Sequence, residues 1–556
     1  MKVLLIWPIL PNSFWSYQET LDLLGLKTNM PPLGLITVAA MLPQEWEMRL
    51  IDRNVKLETE ADWEWCDLVI VSAMIVQRDD LRHVIQTAKA KGKRVAVGGP
   101  FPTSVPDFAL ESGADYLILD EGEITIPMFL EALERGETSG TFRTLEKPDV
   151  TQTPIPRYDL LDLTAYMSMT IQFSRGCPFQ CEFCDIITIY GRKPRTKMPQ
   201  QMLAEFQALY ELGWAGIIFV VDDNFIGNKR NAKVFLRELI PWMQERNFPF
   251  PLLTEASLNL AEDDELLELM VQAGFRAVFM GIETPDADSL MVANKEQNTR
   301  GSLVEACHKI TRAGLKIISG FIIGFDGERS GAGQRIVDFV EESTIPEAHL
   351  GVLTALPNTA MWQRLKREGR LIDDTIEEQD GDTLSPQLAL MNFVPTRPIE
   401  EIATEYIDAF WKLYEPATYL KRTFRHLSLM QGKLQTNTNP DHVPPITYQV
   451  GQAMAQKVGI RMLKAISWRY GVLRSTRFLY WKYLITLIIQ KPHLVPGFLT
   501  ILAFGEHLFK FRYEVREKIE KQIADRRSAI AAIGSVTPPD DQSLSSTAKS
   551  QSEAAA

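Results

Sequence analysis

Three of the five cysteines in this chain crowd into one loop, Cys177-Pro178-Phe179-Gln180-Cys181-Glu182-Phe183-Cys184, with a C-x3-C-x2-C spacing. Thiolates are soft ligands that favour zinc or iron-sulfur clusters over hard cations. A structural zinc would close its shell with four protein ligands, usually from a second C-x2-C or a His pair nearby. Here Cys66 and Cys307 lie more than a hundred residues away, and no His occurs between His83 and His308. A disulfide would leave one of three clustered cysteines odd, and no secretory signal is read in the sequence. The spacing points to an iron-sulfur cluster held by three thiolates, with one iron left open.

Such a loop has to be positioned by regular elements. Residues 170–174 read as a short strand, Arg175-Gly176 turn the chain, and the cysteines follow at the strand's carboxyl end, where open-faced α/β folds place their sites. With aromatic Phe183 just before Cys184, the loop resembles the signature of the radical S-adenosylmethionine superfamily. That resemblance implies that Cys177, Cys181 and Cys184 hold a 4Fe-4S cluster whose fourth iron chelates the amino and carboxylate groups of S-adenosylmethionine.

The chain has 556 residues, 45% of them hydrophobic and 23% charged, which predicts two or three folded domains with a sizeable core. A net charge of -12 argues against nucleic acid as a partner, because phosphate neutralisation needs a positive field. Low cysteine usage fits a reducing cytoplasm. No run reaches the roughly 18 uninterrupted apolar residues of a membrane-spanning helix.

Residues 1–150 predict a first α/β unit, with buried-type strands at 2–7, 48–52, 68–72, 94–99 and 116–119 and a helix from Asp79 to Lys91. Apolar strands alternating with helices imply a doubly wound parallel sheet. A Pro-rich linker, Thr151 to Tyr158, leads into a second unit over 151–397. Its expected strands, 170–174, 216–221, 251–257, 276–282, 315–323 and 348–354, with helices such as Glu262–Ala273 and Gly301–Ala313 between them, make a partial (β/α)6 barrel whose site faces the carboxyl ends. From 398 to 528 strand signals stop and aromatic-rich helices take over, and 529–556 reads as a Ser, Ala and Pro rich disordered tail.

Small or turn-forming residues follow three strands of the first unit: Ser72-Ala73-Met74, Gly98-Gly99-Pro100 and Glu121-Gly122. Glycine lets backbone approach a large flat ligand. A doubly wound unit directly before a radical S-adenosylmethionine barrel resembles the cobalamin-binding subfamily, as does Met30-Pro31-Pro32-Leu33-Gly34-Leu35. The resemblance implies cobalamin near Ser72, Met74, Gly98, Gly99, Pro100, Glu121 and Gly122. The loop after the first strand, Trp7 to Ser13, lacks the DxHxxG motif and offers no His to cobalt. A dinucleotide is unsupported, since no GxGxxG follows that strand.

In the barrel the resemblance places Asp223 and Asn224 near the methionine ammonium. It draws Phe183, Glu255, Ser257, Glu283, Gly320 and Gly324 to S-adenosylmethionine as well. Glu328 follows one residue late for the GxIxGxxE pattern of Gly320 to Glu328. Arg192, Lys193, Arg195 and Lys197, just past the cluster loop, either screen the cluster and guide an acidic electron donor or form a solvated loop. This stretch and Asp222 to Asn228 resemble the subgroup that contains the hopanoid C-2 methylase.

The resemblance implies a cobalamin-dependent radical S-adenosylmethionine methyltransferase acting on an unactivated carbon of a hydrophobic lipid, isoprenoid or tetrapyrrole-like intermediate, with ferredoxin or flavodoxin as electron donor. A cobalamin-binding oxidoreductase or cyclase without methyl transfer shares every motif, and a non-catalytic redox or cobalamin sensor is a third reading. The sequence marks no side chain that controls the substrate radical. The apolar segments 478–489 and 495–504 are readable as core, as a lipid-facing surface or as the cover of a hydrophobic pocket. The expected location is cytoplasmic, with peripheral membrane contact under the second reading.

Overall fold

The computed structural model describes residues 1–299, 301–372, 388–431 and 439–534. Its first unit is a six-stranded parallel sheet in the order β2-β1-β3-β4-β5-β6, formed by β1 (Lys2–Trp7), β2 (Glu47–Asp52), β3 (Leu68–Ser72), β4 (Arg94–Gly98), β5 (Tyr116–Ile118) and β6 (Gly140–Phe142). Helices cover both faces, so Val3, Leu4, Leu5 and Ile6 are all fully buried and the strand reads as a continuous apolar run. β6 was not expected: it has three residues, begins at a glycine and carries one buried side chain, too little for a pattern.

The second unit is another six-stranded parallel sheet, β14-β13-β12-β11-β10-β7, curled into a partial barrel. It is built from β7 (Ser168–Ile171), β10 (Ile217–Val220), β11 (Leu252–Glu255), β12 (Phe275–Glu283), β13 (Lys316–Ile323) and β14 (Glu347–Val352). The strands match the expected ones within a few residues. A small antiparallel pair, β8 (Ser174–Arg175) with β9 (Arg195–Thr196), straps the base of the cysteine loop. Along β12, Val278, Met280 and Ile282 are completely buried outward against helices. The alternate positions Ala277, Phe279, Gly281 and Glu283 turn into the lumen.

Two α-helices, Ile399–Leu413 and Pro416–Leu429, flank the barrel, and Ile446–Trp468, Arg477–Gln490 and Val495–Gly534 complete the helical region. The last helix continues to Gly534, while residues 535–556 of the expected tail lie outside the described residues. The two apolar segments part company here. Phe498, Leu499, Ile501, Leu502 and Ala503 are buried, with Ala503 O accepting from Thr20 Oγ1 at 2.8 Å and Ile501 O from Tyr419 OH at 2.7 Å. Residues 477–490 bury only Tyr480, Leu484 and Leu487. Among the described residues one helical stretch, Pro492–Arg527, is long and apolar enough to cross a bilayer, and 67% of its most apolar window is buried in the protein.

Candidate cofactor site

Cys177, Cys181 and Cys184 stand at the carboxyl edge of the barrel, in a loop pinned by backbone bonds. Cys177 N–H donates to Gly191 O at 3.3 Å, Glu182 N–H to Ala293 O at 3.2 Å, and Met361 N–H to Glu182 O at 2.8 Å. Burial pushes the thiols of Cys177 and Cys184 up, the latter to about 12, and each is raised further by neighbouring cysteines. The backbone N–H groups of Phe179 and Ile186 and the Asn224 side chain act against that by hydrogen-bonding to the sulfurs. Among the described residues no three His, Cys, Asp or Glu side chains converge on a point where a single ion would sit. Three thiols on one loop, with hydrogen-bond donors to the sulfurs of Cys177 and Cys184, fit a polynuclear iron-sulfur cluster.

Beside the loop the strand ends supply carboxylates. Asp222 is structural: it accepts from Phe173 N–H at 2.7 Å and Ser174 Oγ at 2.6 Å, and burial pushes it up to about 6. Burial and then Asp222 push Asp223 up to about 7, and burial followed by Asp223 and Asp222 push Glu255 up to about 8. Asp223 Oδ2 is buried without a partner. Clustered carboxylates that resist ionisation and leave an oxygen unspent fit a ligand cation such as the ammonium of S-adenosylmethionine. Asn224 and Ser257 join at the same edge, Asn224 Nδ2 donating to Ser257 Oγ at 3.2 Å.

Glu283 ends β12 at a register shift and takes φ +67°. A bulge here re-aims the side chain. The carboxylate grips buried Lys295, whose ammonium is opposed by burial yet held above its ordinary range by Glu283 and Cys181. Lys295 also sits 5.8 Å from the Phe183 ring, and Gln297 Nε2 lies 3.7 Å from Cys181 Sγ. Neither residue was found from sequence, because they follow the helix Ala287–Val292 in a stretch without periodicity. Gly281 and Gly320 pair across β12 and β13 and open the lumen above Phe279. Gly324 instead packs toward Met391 and Ile402, and its N–H donates to Glu328 Oε2 at 2.9 Å. Glu328 is further tied to Arg397 at 3.1 Å, so its extra residue puts it in a helix-anchoring role.

The carboxyl edge of the first sheet faces this loop. The helix Pro100–Ser104 after β4 packs on the helix Ile186–Ile189 that follows Cys184. Glu121 accepts from Arg175 Nη1 and Arg195 Nη2, both at 2.8 Å, and Arg175 also reaches Glu123 at 2.9 Å. Arg195 and Lys197 are thus spent, Lys197 on Glu205, while Arg192 and Lys193 stay exposed. Ser72, Gly98 and Gly99 meet at adjacent strand ends, Met74 is 38% exposed, and Gly122 turns instead toward Met41 and Val38. The Trp7–Ser13 loop is held by Gln77 Nε2 donating to Pro8 O at 2.6 Å and Asn54 Nδ2 to Pro8 O at 3.1 Å. It presents no imidazole, thiol or carboxylate, and His83 lies exposed on the helix Arg78–Ala90. This neutral donor set fits a corrin held by backbone and hydroxyl groups with no protein ligand from this loop on cobalt.

Comparison with known proteins finds three family matches along the chain. The chain matches the B12 binding domain over residues 21–130, the Radical SAM superfamily over 171–340 and a domain of unknown function (DUF4070) over 359–521. It is 55% identical over 526 residues to an uncharacterized methyltransferase of Synechocystis sp., covering 94% of each chain. It is 33% identical over 518 residues to the hopanoid C-2 methylase of Rhodopseudomonas palustris, covering 92% of this chain and 94% of that one. Its fold is similar to that of the cobalamin-dependent S-adenosylmethionine radical enzyme OxsB with aqua-cobalamin and S-adenosylmethionine bound, with a TM-score of 0.56 at 16% identity over 97% of this chain and 82% of that one.

Proposed function

Because this chain belongs to the cobalamin-binding radical S-adenosylmethionine proteins, in the group that contains the hopanoid C-2 methylase, we propose that it methylates an unactivated carbon of a hydrophobic lipid, isoprenoid or tetrapyrrole-like intermediate. It is a radical S-adenosylmethionine methyltransferase that uses a 4Fe-4S cluster, S-adenosylmethionine and cobalamin, and it requires an electron donor. Bound together, these cofactors supply a reducing electron, a hydrogen-abstracting radical and a transferable methyl group.

The chain's own residues would bind, orient and shield. Cys177, Cys181 and Cys184 would hold the cluster, Asp223 and Glu255 the methionine ammonium, with Asn224 and Ser257 beside them. Phe183, Glu283 and Gly320 would complete the S-adenosylmethionine pocket, with Lys295 balancing the charge of Glu283 and the thiolates. Ser72, Met74, Gly98, Gly99, Pro100 and Glu121 would border the corrin. The observation that carries methylation is the facing of the two carboxyl edges, which would set a methyl source opposite a radical source.

For the hydrophobic substrate the supporting features are the glycine-lined lumen over an aromatic floor and the outer face of the helix Arg477–Gln490. Phe478, Trp481, Ile485, Ile488 and Ile489 share one exposed stripe there, Phe478 at 78%. No Asp or Glu occurs from His442 to Gly505, while Lys457, Arg461, Lys464, Arg477 and Lys482 do. An apolar stripe among uncompensated cations suits the surface of an anionic membrane, which would make a cytoplasmic protein peripheral. Exposed Arg192 and Lys193 beside the cluster loop suit an acidic ferredoxin or flavodoxin.

The test is anaerobic turnover with methyl-labelled S-adenosylmethionine and a lipid extract from a deletion strain. Label in an extracted product together with 5'-deoxyadenosine and S-adenosylhomocysteine is expected. Deoxyadenosine alone would favour oxidation or cyclisation, and neither would favour a sensor. Electron paramagnetic resonance of the cob(II)alamin form should lack imidazole-nitrogen splitting.

A further inference from the structure

The barrel has a second opening at its other end. A cavity of about 440 Å³ lies at the amino ends of the strands, where Ile217, Leu252 and Lys316 begin β10, β11 and β13 and Ala277 is the third residue of β12, and Leu494 and Phe504 of the helical region close it from below. Its volume is that of a small-molecule site. Trp15 forms the roof, its ring 5.1 Å from Phe279 and 4.4 Å from His349. Seven steps along β12 lead from Arg276 to Glu283, which at the rise of an extended strand puts this cavity roughly 20 Å from the cofactor edge.

The walls are apolar apart from a few groups, and two buried or half-buried cations among them differ. Lys316 is satisfied: its Nζ donates to Glu347 Oε1 at 2.7 Å and lies 5.2 Å from the Phe504 ring. Arg276 is not. Its one hydrogen bond among the described residues runs from Nη1 to Phe275 O at 3.3 Å, and it forms no ion pair there. Burial lowers its pKa, the direction expected of a cation without a counter-charge. Guanidinium has five N–H donors in a planar fork matched to carboxylate and phosphate. Removing such a group from water without an anion is costly, and an anionic ligand offsets that cost.

We infer that the base of the barrel is a second ligand site, distinct from the cofactor edge, that takes an amphiphile of acyl or isoprenoid size with its carboxylate or phosphate head on Arg276 and its apolar body along Leu253, Ala277 and Phe504. Exposed His493, Pro496 and Gly497 mark the mouth through which it would pass.

The experiment uses the cofactor-loaded full chain, a fluorescent polyene fatty acid and the matching polyene alcohol, with energy transfer from tryptophan, Trp15 among the donors, as the signal. Saturable binding of the acid is expected, with Arg276→Gln weakening it about tenfold or more, Arg276→Lys falling between, and the alcohol binding weakly and equally to all three. Ala277→Phe should remove binding of both probes, with unchanged melting temperature and cofactor content as the control for folding. Dodecyl phosphate should displace the acid and inorganic phosphate should not. Equal affinity of the parent and Arg276→Gln for the acid, equal affinity of acid and alcohol, displacement by inorganic phosphate, or the absence of saturable binding would each overturn the assignment. Label transfer from S-adenosylmethionine is scored separately, so failure of this site and failure of the methyltransfer reading are told apart.

Discussion

At the carboxyl edge of the first sheet the groups near β1, β3 and β4 are Pro8 O, Gln77, Asn54, Ser72 and the Gly98-Gly99 backbone, and Asp80, which accepts from Ile9 N–H at 2.6 Å, is already paired with Arg53. Glu121 at that edge is already spent on Arg175 and Arg195. At the carboxyl edge of the barrel, Asp223 and Glu255 carry no cationic partner in an ion pair among the described residues; burial and then Asp222 raise Asp223 to about 7, and burial followed by Asp223 and Asp222 raise Glu255 to about 8. Both sheets are parallel and place their loops alike, so topology does not explain the difference. Ligand chemistry does. A corrin is large, flat and fringed with amides, which suits neutral donors and close backbone. S-adenosylmethionine brings an ammonium and a sulfonium, which suit carboxylates kept dry until it arrives.

The largest break in this contrast comes from the thiols. Replacing Cys177, Cys181 and Cys184 together by Ala should remove the cluster iron and all deoxyadenosine formation while leaving cobalamin bound to the neutral edge. Cys66→Ala and Cys307→Ala, both buried in the cores of their own units, should keep the iron. Retained cluster absorbance in the triple variant refutes the assignment. Next in size is the strap between the edges. Glu121→Ala leaves Arg195 without its carboxylate and Arg175 with Glu123 alone, and breaking such a buried pair costs about 3 to 5 kcal/mol. Urea unfolding should register that loss, and Glu146→Ala, an exposed carboxylate nearby in sequence, should not.

How far the contrast was legible follows from what each feature depends on. The strands of both sheets could be read because they are buried on both faces and so run apolar without interruption, as in Leu68–Ser72 and Lys316–Ile323. β6, with one buried residue, could not. The cysteine loop was legible because ligand spacing is local. Lys295 and Gln297 reach Cys181 only through the fold, across more than a hundred residues, and no local pattern encodes that approach. The segment 478–489 looked apolar all round, and sequence could not say which face a neighbour covers. Packing covers Tyr480, Leu484 and Leu487 and leaves Phe478 and Ile489 bare.

The charged edge also makes a pH prediction. Asp222, Asp223 and Glu255 have folded pKa values of about 6, about 7 and about 8, above the ordinary carboxylate range. A raised folded pKa means that their protonated forms favour the fold. That contribution is full below the ordinary carboxylate range and is lost as pH rises through 6 to 8. Cofactor-free protein should therefore melt at a lower temperature above that window than at its acid end. S-adenosylmethionine affinity should run the opposite way, strengthening with pH as the carboxylates ionise. Asp223→Asn with Glu255→Gln should flatten both profiles and weaken binding about tenfold or more. Unchanged profiles in the double variant would place the ammonium elsewhere.

The smallest expected effect tests the neutral edge, where shape rather than charge is proposed to hold the ligand. Gly99 has φ +96°, and a Cβ there would lie 2.5 Å from Ser72 Oγ and 3.0 Å from Ala73 N, joining two of the proposed corrin-bordering loops. Gly92 has φ +70°, but a Cβ there would meet nothing within 4 Å. Gly92→Ala carries the backbone strain of a positive φ, about 1 kcal/mol, whereas Gly99, with φ +96° and ψ -179°, sits in a region essentially reserved for glycine, where the strain is about 1 to 3 kcal/mol. Gly99→Ala must in addition push the Ser72 loop away from β4. Gly92→Ala should lower stability slightly and leave cobalamin content alone, whereas Gly99→Ala should lower cobalamin content by more than its loss of stability accounts for. Parallel losses in the two variants would mean that Gly99 serves only its turn, and that the neutral edge is not where the corrin rests.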